Sequence, residues 1–317
     1  MDILSYYYFT ELCKDLNMNR TAERLYVSQQ TISNHIQRLE EHYGTRLFYR
    51  KPTLSLTYAG EYALQFSQRL LREQLNLEEF LNDVEKKGKG VLHFGASSLR
   101  LNDSLPQILP AFTARYPEIE LKITSAFSSR LEPLILEGKL DLAIVLDSTR
   151  PNPVLEQLNF AEDQVFACLP EKLLLDKGKD AAWKEKALSG LEVTECADLP
   201  FCLTENRIGE SILQAYFNAG LEPQVYLSSS DTNLSFAVCC SGVAGAFIGQ
   251  NRLANAENTL PDDLNIFPLT IGGKPVVQKL IMIRRKDRYA SEAMKYFMQL
   301  LQESAGEMER VSITRSV

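Results

Sequence analysis

The stretch Thr21–Glu40, TAERLYVSQQTISNHIQRLE, decides the architecture of the first sixty residues. A short segment from about Arg20 to Tyr26 reads as a helix, a break falls at Tyr26 and Val27, and Ser28 then stands as the N-cap of a second helix. Beyond that cap Ile32, Ile36, Leu39 and Tyr43 recur at steps of 4, 3 and 4, which is one continuous helical face, and Gly44 closes it. Gln29, Gln30, Ser33 and Asn34 lie off the apolar face.

Working outward, Ile3, Leu4, Tyr7, Tyr8 and Leu12 place an amphipathic helix before this pair, and LFYRKPTLSLT after it has the β-branched and aromatic content of a small hairpin around a Lys-Pro turn. Three helices followed by a hairpin is the order of a winged helix-turn-helix. In that motif the second helix of the pair enters the major groove, N-terminal residues toward base edges, and Gln or Asn amides can bond adenine N6 and N7 together. The amide-rich turn at Gln29 and Gln30 therefore reads as a base-recognition surface. Residues 18–60 also carry six basic residues (Arg20, Arg24, Arg38, Arg46, Arg50, Lys51) against three acidic ones (Glu23, Glu40, Glu41). The whole chain has net charge -7, so bulk charge alone does not hold it on nucleic acid.

From Tyr58 to about Lys87 there is no proline, and Ala63, Phe66, Leu70, Leu77, Phe80 and Val84 fit a and d heptad positions, broken at Glu73. A long helix with that stripe wants a partner, which predicts a dimer. KKGKG at 86–90 is a linker, and strands and helices alternate beyond it: VLHFGA, a helix over about 104–115, IELKIT, a helix over about 129–137, LDLAIVL. A second set follows, from QVFACLP through VAGAFIG, and KLIMIRR leads to a last helix over about 291–302. The final GEMERVSITRSV is expected to fray.

With 317 residues, 45% of them hydrophobic, the chain can build two or three domains. No apolar run approaches the roughly 20 residues of a membrane span, and the start MDILSYYYFTELCKD has no signal-peptide pattern, so a cytoplasmic protein without membrane association is expected. Six cysteines without a CxxC pair, and three histidines without ligand spacing, give neither a metal centre nor a cofactor site. No nucleophile elbow, phosphate loop or Ser-His-Asp order appears, so no enzyme is expected.

TAERLYVSQQTIS, HIQRLEEHYGTRLFYR and LTYAG closely resemble the N-terminal signature of the LysR-type transcriptional regulators. Downstream ILPAFTARYPEIEL, GKLDLAIV and GVAGAFIG resemble that family's effector domain, two α/β lobes of the periplasmic-binding-protein type. The resemblance implies an α/β chain with a winged helix-turn-helix over 1–58, a dimerisation helix over 59–88 and an effector domain over 89–317, with lobe I about 89–160 and 267–305 and lobe II about 161–266. It further implies a homodimer or dimer of dimers on double-stranded DNA at an interrupted inverted repeat, with contacts to RNA polymerase and a small-molecule effector in the cleft between lobes.

Carried over by position, Gln29, Gln30, Ser33 and Asn34 face the groove, and Arg50 at the wing contacts the backbone. Arg20 and Arg24 add phosphate contacts on charge grounds. Family members often have proline where Gln30 stands and arginine where Asn34 stands, and the wing RKPTLSLT is about one residue short. Two-lobed α/β domains bind ligands at carboxyl ends of strands, where helix N-termini offer free N–H groups. Such loops here are GASSLR, SAFSSR, TENR and SSSDTN, which makes Ser97, Ser98, Ser128, Thr204 and Thr232 the expected effector contacts, joined by Arg100, Arg130 and Arg207. Inward-pointing arginines favour an anionic effector. A rival within the same class is redox control through Cys196 and Cys202, and a rival outside it is a solute-binding or enzymatic module.

Overall fold

Four side chains set the helix starts of the N-terminal region. Asp2, Asn17, Ser28 and Thr57 accept backbone N–H groups at the starts of α1 (Ile3–Asp15), α2 (Met18–Arg24), α3 (Gln29–Tyr43) and α4 (Tyr58–Val84). Between α3 and α4 a two-stranded hairpin pairs β1 (Phe48–Tyr49) with β2 (Ser55–Leu56). The computed structural model describes residues 2–85, 88–147, 152–308 and 313–317. It divides into one unit of Met1–Lys87 with Arg288–Ser291 and another of Gly88–Asp287 with Glu292–Val317.

In the first unit the face foreseen on α3 supplies Ile32, Ile36 and Leu39 to a core with Phe9, Leu12, Leu47 and Phe48. Each buries a side chain worth about 1.5–3 kcal/mol against water. The break before α3 is made by Tyr26, a non-glycine residue at φ 54, while the Val27 N–H bonds the Ala22 carbonyl at 3.0 Å. The capping Asn17 starts α2 at Met18, two residues ahead of the expected Arg20, and the helix ends at Arg24. On α4 Phe66, Leu77, Phe80 and Val84 of the stripe are exposed, and Ala63 is partly buried against the core.

The second unit is built from β3 (Lys89–Ala96), α5 (Ser98–Arg115), β4 (Glu118–Ser125), α6 (Ser128–Leu136), β5 (Leu142–Leu146) and β6 (Leu155–Pro170). Then come α7 (Glu171–Asp176), α8 (Ala181–Leu188), β7 (Leu191–Glu192), β8 (Pro200–Thr204), α9 (Arg207–Asn218) and β9 (Gln224–Ser229). The chain goes on through α10 (Thr232–Cys240), β10 (Gly245–Gly249), α11 (Gln250–Ala256), β11 (Leu264–Ile271), β12 (Lys274–Pro275), β13 (Val277–Arg285) and α12 (Glu292–Met308). The principal strand order is β4-β3-β5-β13-β6-β10-β8-β9.

β6 is the strand that makes this two lobes. Its first part, Leu155–Gln164, pairs with β13, and its second part, Val165–Pro170, pairs with β10 and β11. β11 therefore lies in the second lobe, and the chain returns to the first at Val277 and not near residue 267 as expected. An apolar strand pattern states that a strand is buried, not which sheet it joins. α5 begins at Ser98, earlier than the expected 104, because Ser97 caps it and the polar run Asn102–Ser104 continues the helix.

Among the linker residues Lys86 and Lys87 lie outside the described residues, and so do 309–312 of the C-terminal segment. Its remainder corrects the expected fraying: Ile313 is buried, and Arg315 exchanges two backbone hydrogen bonds with Ile266 at 2.8 and 3.0 Å. Among the described residues no helix is long and apolar enough to cross a membrane.

Candidate functional site

In the first unit Ser28 Oγ accepts the Thr31 N–H at 3.1 Å, which fixes the start of α3. Gln29, Gln30 and Asn34 are exposed and Ser33 is half-buried. Gln29 and Ser33 line a shallow groove with Asn17, Met18, Arg50 and Thr53, so α3 and the wing share one surface. Gln30 Nε2 donates to Asn34 Oδ1 at 2.8 Å on the same helix. Asn17 and Thr53 carried no base-reading signal in the sequence; the groove assembles them.

The basic residues separate into different roles. Arg50 is exposed at the wing, with Nη2 3.2 Å from Glu40 Oε2, and Glu40 Oε1 also accepts the Leu47 N–H at 2.8 Å. Arg20 is open to solvent, 3.6 Å from Asp15. Arg24, expected to contact phosphate, has its guanidinium bonded to Asp15 Oδ2 through Nε (2.9 Å) and Nη2 (2.6 Å), to the Glu11 carbonyl (3.0 Å) and to the Glu11 carboxylate. Hydrogen bonding from Arg24 holds the Asp15 carboxyl below its usual range. Charge counting cannot distinguish an arginine that ties α2 to α1 from one facing a ligand.

In the second unit a cleft of about 300 Å³ opens between the lobes. α5, α6, α9 and α10 begin on its wall, and Ser97, Ser98, Ser128, Thr204, Thr232, Arg100 and Arg207 all line it. Four helix N-termini converging on one space give it a positive partial charge. Arg130 does not line it: the third residue of α6 lies roughly 200° around the helix from Ser128, and its side chain is exposed. Arg207 Nη1 donates to the Asp147 carbonyl at 2.9 Å.

Asp163, absent from the expected set, forms the floor. It is 1% exposed on β6, close to where that strand changes partners; its carboxylate pairs with Arg100 Nη2 and accepts the Asn251 N–H at 3.0 Å. Gly249 leaves room for it, since a Cβ there would sit 2.3 Å from Asp163 Oδ2. Arg100 is 6% exposed and also reaches Gln278 Oε1 at 3.4 Å, while its Nη1 is buried with no hydrogen-bond partner. The guanidinium the sequence offered to an anion is thus neutralised on one side and unsatisfied on the other.

Asp103, one turn along α5 from Arg100, is buried with Oδ2 unpaired. Burial pushes its carboxyl up from 3.8 to about 6, against the pull of Arg100 and Arg252. A carboxyl held more tightly protonated in the folded than the unfolded chain costs stability as pH rises from about 4 through 6. Asp103→Asn is expected to stabilise the protein by on the order of 2 kcal/mol at pH 7.5 and by little at pH 3.5, read from urea unfolding at the two values. Equal effects at both would remove the titration argument.

Cys196 and Cys202 are both buried, and burial raises both thiols above their ordinary value. Cys196 packs with Phe201 and Leu203, whereas Cys202 packs with Phe166 and Ala246. Alternate residues of β8 point to opposite sheet faces, so the two sulfurs lie in separate cores. The redox alternative is corrected accordingly, because a sensor thiol needs exposure and a lowered pKa.

Residues 4–61 match the family profile described as bacterial regulatory helix-turn-helix protein, lysR family, and residues 85–306 match the LysR substrate binding domain. The chain is similar to the uncharacterized HTH-type transcriptional regulator YcgK of Bacillus subtilis, 23% identical with 96% of this chain and 95% of that protein covered. It is similar to the transcriptional activator IlvY of Salmonella typhimurium, 34% identical over 45% of this chain and 49% of that one. In the alignments with IlvY and with YkuM of Bacillus subtilis the chain spans about half of each relative's length, 49% and 47%. Among solved structures, a full-length OxyR variant from Pseudomonas aeruginosa superposes with a TM-score of 0.66 at 18% identity, covering 99% of this chain and 97% of that one. Full-length CbnR complexed with its target DNA gives 0.54 at 20% identity, covering 96% and 100%.

Proposed function

Since this chain belongs to the LysR family of bacterial helix-turn-helix regulators, we propose that it binds double-stranded DNA at an inverted repeat and regulates transcription in response to a small molecule held between its lobes. The observation that carries the DNA-binding role is the start of α3, where Gln29 and Ser33 share one groove with the wing Arg50 and the Gln30 amide is exposed. The exposed apolar stripe of α4 supports a homodimer or dimer of dimers, which matches a two-fold repeat. That CbnR was solved with its target DNA, and that IlvY is named a transcriptional activator, lends support to the same assignment. DNA as partner places the protein in the cytoplasm.

The hydroxyls of Ser97, Ser128, Thr204 and Thr232 at the cleft wall support binding of a small polar molecule there, beside an Arg100 already engaged by Asp163. An effector there acts by its different affinity for two arrangements of the lobes, which shifts the population that bends DNA or contacts RNA polymerase. The decisive experiment is selection of bound duplexes from a random pool with the full chain, repeated with Gln29→Ala plus Ser33→Ala. An inverted repeat that is enriched by the parent and lost in the variant is expected; enrichment of the same repeat by both proteins would remove these residues from the reader.

A further inference from the structure

The groove-facing residues of α3 form two groups. Gln29 turns back toward Met18, its Nε2 3.9 Å from the sulfur, and Ser33 sits with it beside the wing. Gln30 and Asn34 are linked to each other instead, through the 2.8 Å hydrogen bond from Gln30 Nε2 to Asn34 Oδ1. Residues four apart on a helix are neighbours, so the bond needs no distortion of α3.

A free glutamine amide turns about its terminal torsion and can offer either its N–H groups or its oxygen to a base. The bond to Asn34 fixes that choice. One Nε2–H is given to Asn34 Oδ1, which leaves Oε1 and the second Nε2–H to meet a base. A donor next to an acceptor is the complement of adenine, which presents N7 as acceptor and N6–H as donor. Guanine presents two acceptors there, N7 and O6, and would meet the glutamine oxygen with its own.

Resting on the proposed DNA-binding role, the geometry points to Gln30 as the reader of an adenine in an A·T pair of each half-site, with Asn34 as the positioning residue that orients its amide. Asn34 limits the rotation of Gln30 before DNA arrives, so less freedom is lost on binding.

The test is selection from a random duplex pool with the full chain, comparing the parent with Gln30→Ala, Asn34→Ala and Asn34→Asp, circular dichroism confirming equal helix content. Parent enrichment is expected to contain an adenine column that Gln30→Ala flattens, its preference falling roughly 5- to 150-fold, while other columns keep theirs. Asn34→Ala is expected to weaken the same column, and Asn34→Asp, which keeps the acceptor, to retain it even as overall affinity falls near the phosphates. Gln30→Ala leaving every column unchanged overturns the assignment of the reader. Asn34→Ala and Asn34→Asp behaving alike overturns the positioning role. A parent protein that enriches no sequence overturns the DNA-binding role itself, and this inference with it.

Discussion

Asp163→Ala is expected to lower the stability of the unit that holds the cleft by about 3–5 kcal/mol, a drop of roughly 10 °C in Tm for a domain of this size. The magnitude follows from what the substitution leaves behind. Arg100 is buried on α5, Nη2 is its ion-pairing atom, and Nη1 has no partner at all. Removing the carboxylate leaves a guanidinium that is only 6% exposed without its counter-charge, and the Asn251 N–H loses its acceptor as well. The same residue lies on the strand that passes between lobes, so the loss falls where their relation is set. Adding Arg100→Met to Asp163→Ala is expected to recover much of the stability, because the stranded charge is gone. Thermal and urea unfolding of the two variants decide it: a single variant within 1 kcal/mol of the parent would show that the pair contributes little.

Gly60→Val is expected to cost the first unit about 3 kcal/mol and, with it, DNA binding. Thr57 caps α4 by accepting the Gly60 N–H at 2.9 Å and donates through Oγ1 to the Arg46 carbonyl at 2.8 Å. These bonds draw the first turn of α4 onto the chain ahead of the wing, where the Leu47 carbonyl accepts the Thr57 N–H at 3.0 Å. A Cβ at residue 60 would lie 2.1 Å from that carbonyl oxygen, and backbone cannot turn aside as a side chain can. The substitution must therefore push α4 off the core formed by Leu47 and Phe48. Gly60→Ala should give a smaller loss in the same direction, and unfolding midpoints unchanged in both variants would mean that the helix shifts freely.

Local chemistry wrote much of the first unit into the chain. Ser28, Gly44 and the spacing of Ile32, Ile36 and Leu39 specify α3 from residues within one or two turns of each other, since caps and apolar faces are short-range properties. For the same reason the exposure of Gln29, Gln30 and Asn34 was legible, and so were the hydroxyls at Ser97, Ser128 and Thr232 where strands hand over to helices. Each is fixed by its neighbours in sequence.

Charge partners and sheet membership depend on groups distant in sequence, and they emerge only once the chain is folded. Arg24 and Arg50 have the same side chain, but Arg24 is tied into α1 by Glu11 and Asp15 while Arg50 stands at the wing. Arg130 follows two serines as a site residue would, and the turn of α6 carries it away from the cleft. Cys196 and Cys202 are near in sequence and separated by a sheet. Asp163 gave no motif, because its role depends on Arg100, 63 residues earlier, and on Asn251, 88 residues later. Short-range patterns in the chain say which segments fold and which faces they present; which charges cancel emerges on assembly, because Coulomb attraction and burial act through space and not along the chain.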